Sequence, residues 1–215
     1  MSEALEREKA AAARAAAQLV ADGQRVGLGT GSTVAHLLPA LAERGLSDLR
    51  CVATSPATAA RARELGLPVE AFERLDHLDI AIDGADQVDP AGWLVKGGGG
   101  AHTREKIVAA AADRFVVIAD HTKVVDALQP PVPLELLSFG LPATLRAVAP
   151  TRLRDVPHSP DGGLIADFQG DVGDPGALAG RFDKVPGVVD HGLFPPALTS
   201  DVLIATGDAV EHRVV

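Results

Sequence analysis

Apolar residues in this chain come in short bursts separated by glycine, proline and charge, and two kinds of burst alternate. The stretch 3–21 is rich in Ala, Glu, Arg and Leu, predicts a helix, and ends at Asp22-Gly23, where glycine takes the left-handed cap conformation. Arg25-Val26-Gly27-Leu28 reads as a strand that runs into Gly29-Thr30-Gly31-Ser32-Thr33 and then into a helical stretch over 34–44. The order repeats: an apolar strand at 49–53, a turn at Thr54-Ser55-Pro56, and a helix over 57–65 closed by Gly66. A further strand is expected at 69–72. The apolar runs 78–82 and 115–119 flank a helix over 103–112, and runs of this kind suit strands buried on both faces.

Strand and helix in alternation predict an α/β fold, with an open, mainly parallel sheet and ligands bound outside the carboxyl ends of its strands. From Gln129-Pro130-Pro131 the texture changes: prolines crowd, and short apolar runs at 134–137 and 164–168 alternate with turns. This predicts a small α+β domain over 129–199. A strand at 201–205 returns the chain to the first sheet, so the main domain is expected to hold 1–128 and 200–215.

With 215 residues, 47% of them hydrophobic, the chain can bury a sizeable core. Its net charge of −9 argues against any sequence-independent grip on nucleic acid or an anionic membrane, so an anionic ligand must be held locally. The single cysteine, Cys51, rules out an internal disulfide and a cysteine-built zinc site, and it falls in an apolar run that suits a buried thiol. The charged N-terminus has no signal-peptide pattern, and no run reaches the ~18 apolar residues of a membrane span. A cytoplasmic protein is expected.

Chemistry gathers in loops at predicted strand ends. Gly29-Thr30-Gly31-Ser32-Thr33 puts glycines where backbone turns tightly and hydroxyls where side chains join helix N–H groups in holding phosphate. The third glycine of the dinucleotide fingerprint falls at Ser32 and a Walker lysine is missing, so no nucleotide cofactor is indicated. A plain strand-to-helix turn capped by Ser32 or Thr33 would read the same. Asp83-Gly84-Ala85-Asp86 sets two carboxylates three residues apart, suited to sugar hydroxyls or acid/base work. The alternatives are a turn cap by Asp86 or a metal site of Asp83, Asp86 and Asp89. The seven histidines are scattered without ligand spacing, so no metal is expected.

Lys96-Gly97-Gly98-Gly99-Gly100, with a helix opening near Thr103, is a bare turn that admits an anion. Lys96 and Glu105 flank it as a fixed cation and a candidate proton shuttle, a pair suited to an oxyanion developing beside a carbon acid. A solvated glycine loop is the plain alternative. Asp120-His121-Thr122-Lys123 adds a cation at the same sheet edge, either a phosphate counter-charge or a solvated loop lysine.

In order and spacing, Gly29-Thr30-Gly31-Ser32-Thr33, Asp83-Gly84-Ala85-Asp86, Lys96-Gly97-Gly98-Gly99, Thr103-Arg104-Glu105-Lys106 and Asp120-His121-Thr122-Lys123 resemble the type A ribose-5-phosphate isomerase family. Val185-Pro186-Gly187-Val188-Val189 and Gly192-Leu193-Phe194 extend the likeness over nearly the whole chain. The resemblance implies a Rossmann-like domain with a smaller, ferredoxin-like α+β domain, assembled as a homodimer or homotetramer. It implies cofactor-free interconversion of ribose 5-phosphate and ribulose 5-phosphate through an enediolate. Glu105 would be the base, Lys96 the oxyanion cation, and Asp83 with Asp86 the ring-opening groups. Thr30, Gly31, Ser32, Thr33 and Lys123 would hold the substrate, chiefly its phosphate, alongside Gly84, Ala85, Gly97, Gly98 and Gly99. Lys9 stands where the family can add a phosphate contact. Gln87, where the family often has Glu, and Gly100 with His102, where Ala and Leu are usual, are departures. A non-catalytic sugar-phosphate sensor of the same fold group is the rival; it would need the phosphate cradle without Glu105 and Lys96.

Overall fold

The computed structural model describes residues 3–215. The chain divides into two compact units: one runs up to Ala85 and takes in Arg104–Lys123 and Ala197–Val215, the other holds Asp86–Thr103 and Val124–Pro196. Helix α1 (Glu3–Ala17) opens the chain, followed by β1 (Arg25–Leu28), α2 (Ser32–Ala42), β2 (Arg50–Ala53), α3 (Pro56–Glu64) and β3 (Ile80–Gly84). Short strands β4 (Gln87–Val88) and β5 (Leu94–Val95) precede α4 (His102–Ala110) and β6 (Phe115–Asp120). Then come β7 (Val132–Leu136), α5 (Leu141–Ala147), β8 (Thr151–Leu153), β9 (Leu164–Phe168), α6 (Pro175–Phe182), β10 (Val188–His191) and β11 (Leu193–Phe194). Strands β12 (Asp201–Thr206) and β13 (Ala209–Val214) end it.

In the first unit, six strands lie in the order β13-β12-β6-β3-β1-β2, and all neighbours are parallel except the β12–β13 hairpin. This is the expected open α/β sheet, with one antiparallel edge added. Strand β6 is buried along its whole length, as a central parallel strand covered on both faces should be. Ala12, Ala13, Ala16 and Ala17 of α1 share a core with Val34, Leu37, Leu38 and Leu41 of α2 and with Ile80, Ile82, Val116 and Ile118. Alanine on the inner face of α1 lets its backbone come close to its neighbours, which gives the alanine-rich N-terminus a packing role.

The second unit is built on an antiparallel sheet in the order β10-β7-β9-β8, with a small ribbon β11-β5-β4 beside it in the same unit. Its core packs Val132, Leu134 and Leu136 against Phe168 and Phe182, whose rings meet edge-on at 5.2 Å between centroids.

Some expectations change. Residues 86–103 group with the second unit, whereas the sequence reading kept them in the first; β4 and β5 pair with each other and with β11, which draws this segment away from the parallel sheet. The strand expected at 69–72 reduces to a single parallel bridge, Cys51 to Val69, followed by a 3₁₀ turn at Phe72–Arg74, because charged residues follow at once and leave no apolar alternation to pair. Helix α1 ends at Ala17, where Gln18, Leu19 and Val20 bond back three residues instead of four.

Candidate active site

In the first unit the turn Gly29-Thr30-Gly31 joins β1 to α2. Gly31 is the N-cap of α2 and brings no side-chain hydrogen bond to the helix N–H groups, so capping by Ser32 or Thr33 does not explain these residues. The uncapped first turn of an 11-residue helix offers N–H donors and the positive dipole end to an anion. The turn is tied to the end of β3: Asp83 Oδ1 accepts the Thr30 N–H at 3.0 Å and the Gly84 N–H at 2.7 Å. The approach is so close that a β-carbon on Gly29 would fall 2.0 Å from the Asp83 carboxyl carbon. The Thr30 hydroxyl shares a hydrogen bond with that of Thr54 at 2.7 Å, which fixes the turn from the β2 side.

Glu105 lies on the first turn of α4 and is 4% exposed; Asp83 is 3% exposed. Burial keeps bulk water from both carboxylates. Lys123 closes the 3₁₀ turn that follows β6. That turn is anchored: Asp120 Oδ1 accepts the Thr122 N–H, and His121 Nδ1 lies 2.6 Å from Glu8 Oε2. The Gly207 N–H donates to Glu8 at 2.9 Å and, with the His121 bond, holds its carboxyl below the usual carboxylate range. The Lys9 ammonium donates to Glu6 at 2.8 Å, and His36 bonds the same carboxylate.

In the second unit, Lys96 is 2% exposed and its ammonium stands 5.5 Å from the centroid of the Phe194 ring. A cation over an aromatic face is attracted by the negative face of the ring. The Lys96 N–H donates to the Gly192 carbonyl at 2.8 Å, so the Gly192-Leu193-Phe194 segment holds both backbone and side chain of this lysine. The glycine turn that follows is shaped by three side chains. Asp86 Oδ2 accepts the Gly98 N–H at 2.7 Å. His102, fully buried, packs against Gly97, whose φ is +100° and whose added β-carbon would lie 2.7 Å from the imidazole Nδ1. Arg154 donates to the carbonyls of Gly97 and Gly98. Beside the turn, Thr103 donates to the buried carboxylate of Glu135 on β7, which also accepts from the Ser159 hydroxyl.

The structure thus joins Thr30 with Asp83 and Gly84, and Asp86 with Gly98. Asp89 accepts the Trp93 N–H at 2.8 Å and serves the β4–β5 turn. Among the described residues, His77, Asp79 and Asp113 have ligand atoms within 4.8 Å of one another, but Arg25 already donates to Asp79 at the amino end of β3. Arg154, Glu135 and Phe194 had no role from the sequence. Phe194 falls in a segment the resemblance picks out; Glu135 sits in β7 and Arg154 just after β8, strands whose register the sequence does not announce.

The family model for ribose 5-phosphate isomerase A (phosphoriboisomerase A) matches residues 50–209. The chain belongs to the ribose 5-phosphate isomerase A family. It is 46% identical to the ribose-5-phosphate isomerase A of Caulobacter vibrioides, covering 94% of this chain and 96% of that one. Against the protein of that name from Natronomonas pharaonis the identity is 45%, with 97% of each chain covered. The crystal structure of ribose 5 phosphate isomerase A from Neisseria gonorrhoeae superposes with a TM-score of 0.93 at 30% identity, over 98% of this chain and 97% of the other. A D-ribose-5-phosphate isomerase in complex with phospho-erythronic acid superposes with a TM-score of 0.92 at 33% identity, over the full length of both.

Proposed function

We propose that this isomerase interconverts D-ribose 5-phosphate and D-ribulose 5-phosphate by proton transfer through an enediolate, the sugar-phosphate step of the non-oxidative pentose phosphate pathway. Glu105 takes the proton from C2 of the open-chain aldose and returns it to C1, while the O2 proton passes to O1. Lys96 holds the oxygen on which negative charge develops. Asp83 and Asp86 assist ring opening and hold hydroxyls, with Asp86 also shaping the glycine turn. Thr30, Gly31, Ser32, Thr33 and Lys123 take the phosphate; Gly84, Ala85, Gly97, Gly98 and Gly99 line the rest of the substrate. No cofactor or metal enters the scheme.

The observation that carries this reading is the burial of Glu105 and Lys96, a carboxylate and an ammonium that would not leave water without a use, in a chain of this family. A positioned base contributes about 10²- to 10⁴-fold, and fixed positive charge at the oxyanion a further ~10²- to 10³-fold. A non-catalytic sensor would have no need of this pair. The setting we propose is the cytoplasm, consistent with the lack, among the described residues, of any helix long and apolar enough to cross a membrane. We also propose assembly as a homodimer or homotetramer; Phe139, 93% exposed, and the half-exposed Leu137 give the second unit apolar surface for it.

The test is ribulose 5-phosphate formation from ribose 5-phosphate in EDTA, for the wild type and for Glu105→Gln, which keeps shape and removes the base. Turnover that falls by about 10³-fold in a variant that still binds substrate establishes both activity and base. A folded wild type that binds the sugar phosphate and does not turn it over moves the chain to the sensor class.

A further inference from the structure

A run of four glycines has no side chains with which to hold its own shape, and each glycine carries the largest backbone entropy of any residue. The conformation of residues 97–100 therefore has to be imposed from outside, and the second unit contains a device that does so. Arg154 follows β8 and continues its pairing, its N–H donating to Ile165 at 2.9 Å. Asp167 on β9 grips its guanidinium in a fork, accepting from Nε at 2.8 Å and from Nη2 at 2.6 Å. Both side chains are largely buried, at 17% and 18% exposure. With the guanidinium plane set by Asp167, the remaining nitrogen, Nη1, reaches the Gly97 carbonyl at 3.1 Å and the Gly98 carbonyl at 2.9 Å.

Peptide planarity turns these contacts into an orientation. In a trans peptide the N–H points opposite to the C=O of the same plane. Where Arg154 holds the Gly97 carbonyl, the Gly98 N–H must face the other way, and it does, donating to Asp86 at 2.7 Å. Where Arg154 holds the Gly98 carbonyl, the Gly99 N–H is aimed to the side away from the guanidinium. Gly98 and Gly99 are exposed on this turn, while Lys96 and Gly97 are buried.

We propose that Arg154, oriented by Asp167, is a positioning residue for the isomerisation. It fixes the two peptide planes of the glycine turn so that the Gly99 N–H is a preset donor to an oxygen of the sugar phosphate. The proposal rests on the reading that this turn binds substrate. Arginine is required because only a planar fork can serve a carboxylate with one edge and two carbonyls with a third nitrogen; lysine carries the charge without the geometry.

The experiment compares Arg154→Met, Arg154→Lys and Asp167→Asn with the wild type and with Arg152→Met. Arg152 is an exposed arginine on the same β8 strand, and its removal serves as the control. The readouts are kcat and KM for ribose 5-phosphate, the melting temperature, and kcat in millimolar guanidinium chloride, far below denaturing levels. Expected are a kcat lower by about 10²-fold in Arg154→Met, of the order seen when one oxyanion donor is lost, with KM changed only severalfold. Arg154→Lys should recover melting temperature but not kcat, Asp167→Asn should fall between, and guanidinium should raise kcat at least tenfold in Arg154→Met alone. A folded Arg154→Met with wild-type kcat overturns the proposal, as does a rise in KM alone. If that variant does not fold, an Asp167→Asn protein with unchanged kcat overturns it equally. An inactive wild type would instead sink the isomerase reading itself, so the two failures are distinguishable.

Discussion

At Gly29 the backbone of the first turn passes so close to Asp83 that the residue's own strand neighbour forbids a side chain, and the same carboxylate accepts the Thr30 N–H. At Gly97 the backbone of the second turn is also pressed, but by His102 from the following helix, and its carbonyl is held by Arg154, 57 residues further along the chain. Both turns are made of glycine, and each is fixed by a carboxylate accepting an N–H, Asp83 in one and Asp86 in the other. They differ in where the fixing groups come from. A parallel sheet brings the carboxyl ends of adjacent strands side by side, so the groups that shape the first turn come with the topology. The second turn stands in a unit of antiparallel register, and Arg154, just after β8, reaches it through a connection no local rule dictates.

Alanine substitutions should separate the two cases most sharply. Gly29→Ala puts a β-carbon where the Asp83 carboxyl stands, and Asp83 is itself in the proposed site, so nothing can yield without disturbing chemistry. Overpacking of this kind costs about 1–3 kcal/mol, and a displacement near 1 Å at a reacting group costs about 10²-fold in kcat/KM. Gly97→Ala should lose a similar amount from two sources, the strain of a φ of +100° and the overlap with the imidazole of His102. Adding His102→Gly removes the overlap, which involves the imidazole Nδ1 at 2.7 Å and the Cβ of His102 at 2.8 Å, and leaves the strain. The double variant should thus recover about 0.5–3 kcal/mol of coupling in urea denaturation together with part of the rate. If it recovers nothing, His102 does not shape this turn and the contrast with Gly29 fails.

Legibility followed the same divide. The parallel sheet could be read from alternating apolar runs, and the first turn from its place between β1 and α2, because strand, turn and helix are contiguous. Glu105 and Lys96 stood out because they flank a glycine run. What stayed hidden was non-local. Strands β4 and β5 are two residues each, too short for an alternation to show, so the pairing that carries 86–103 into the second unit left no trace in the sequence. Glu135 sits within an apolar run, Val132-Pro133-Leu134-Glu135-Leu136, and only the fold reveals that its carboxylate is buried between Thr103 and Ser159. The edge strand β13 was missed because its polar, exposed side masks the alternation.

Acid provides a gentler way to load the two units differently. Asp201 opens β12 in the first unit; the Arg114 guanidinium, and secondarily His212, hold its carboxyl below the ordinary range, against the opposing effect of burial. Since the folded pKa lies below that of an unfolded aspartate, about 3.9, the unfolded chain takes up the proton first. The stabilisation is whole above that value and is lost as the pH falls through the folded pKa. The urea midpoint of the wild type should therefore drop between pH 6 and pH 3.5 by more than that of Asp201→Asn. Trp93, the single tryptophan, lies in the second unit and reports on it by fluorescence, while the longest helices, α1 and α2, dominate the circular dichroism from the first. A loss of helix signal that precedes the tryptophan transition would place the acid-sensitive contacts in the first unit; coincident transitions that shift equally in Asp201→Asn would show that the units unfold as one.

The smallest effect is expected at Gln87, next to Asp86 and one of the departures from the usual family pattern. Its amide is spent on the backbone of residue 129: Nε2 donates to the Gln129 carbonyl at 2.8 Å, and Oε1 accepts the Gln129 N–H at 2.7 Å. Glutamate would keep the acceptor and lose the donor, setting a carboxylate oxygen against a carbonyl at a partly exposed position. The loss is that of one ordinary hydrogen bond, about 0.5–1.5 kcal/mol, and it touches neither glycine turn. Gln87→Glu should therefore lower the urea midpoint slightly and leave kcat and KM within twofold. A KM that changes while stability does not would mean that a charge at this position reaches substrate through the neighbouring Asp86 carboxylate. The second turn would then depend on its own local sequence as well as on Arg154, and its contrast with the first would narrow.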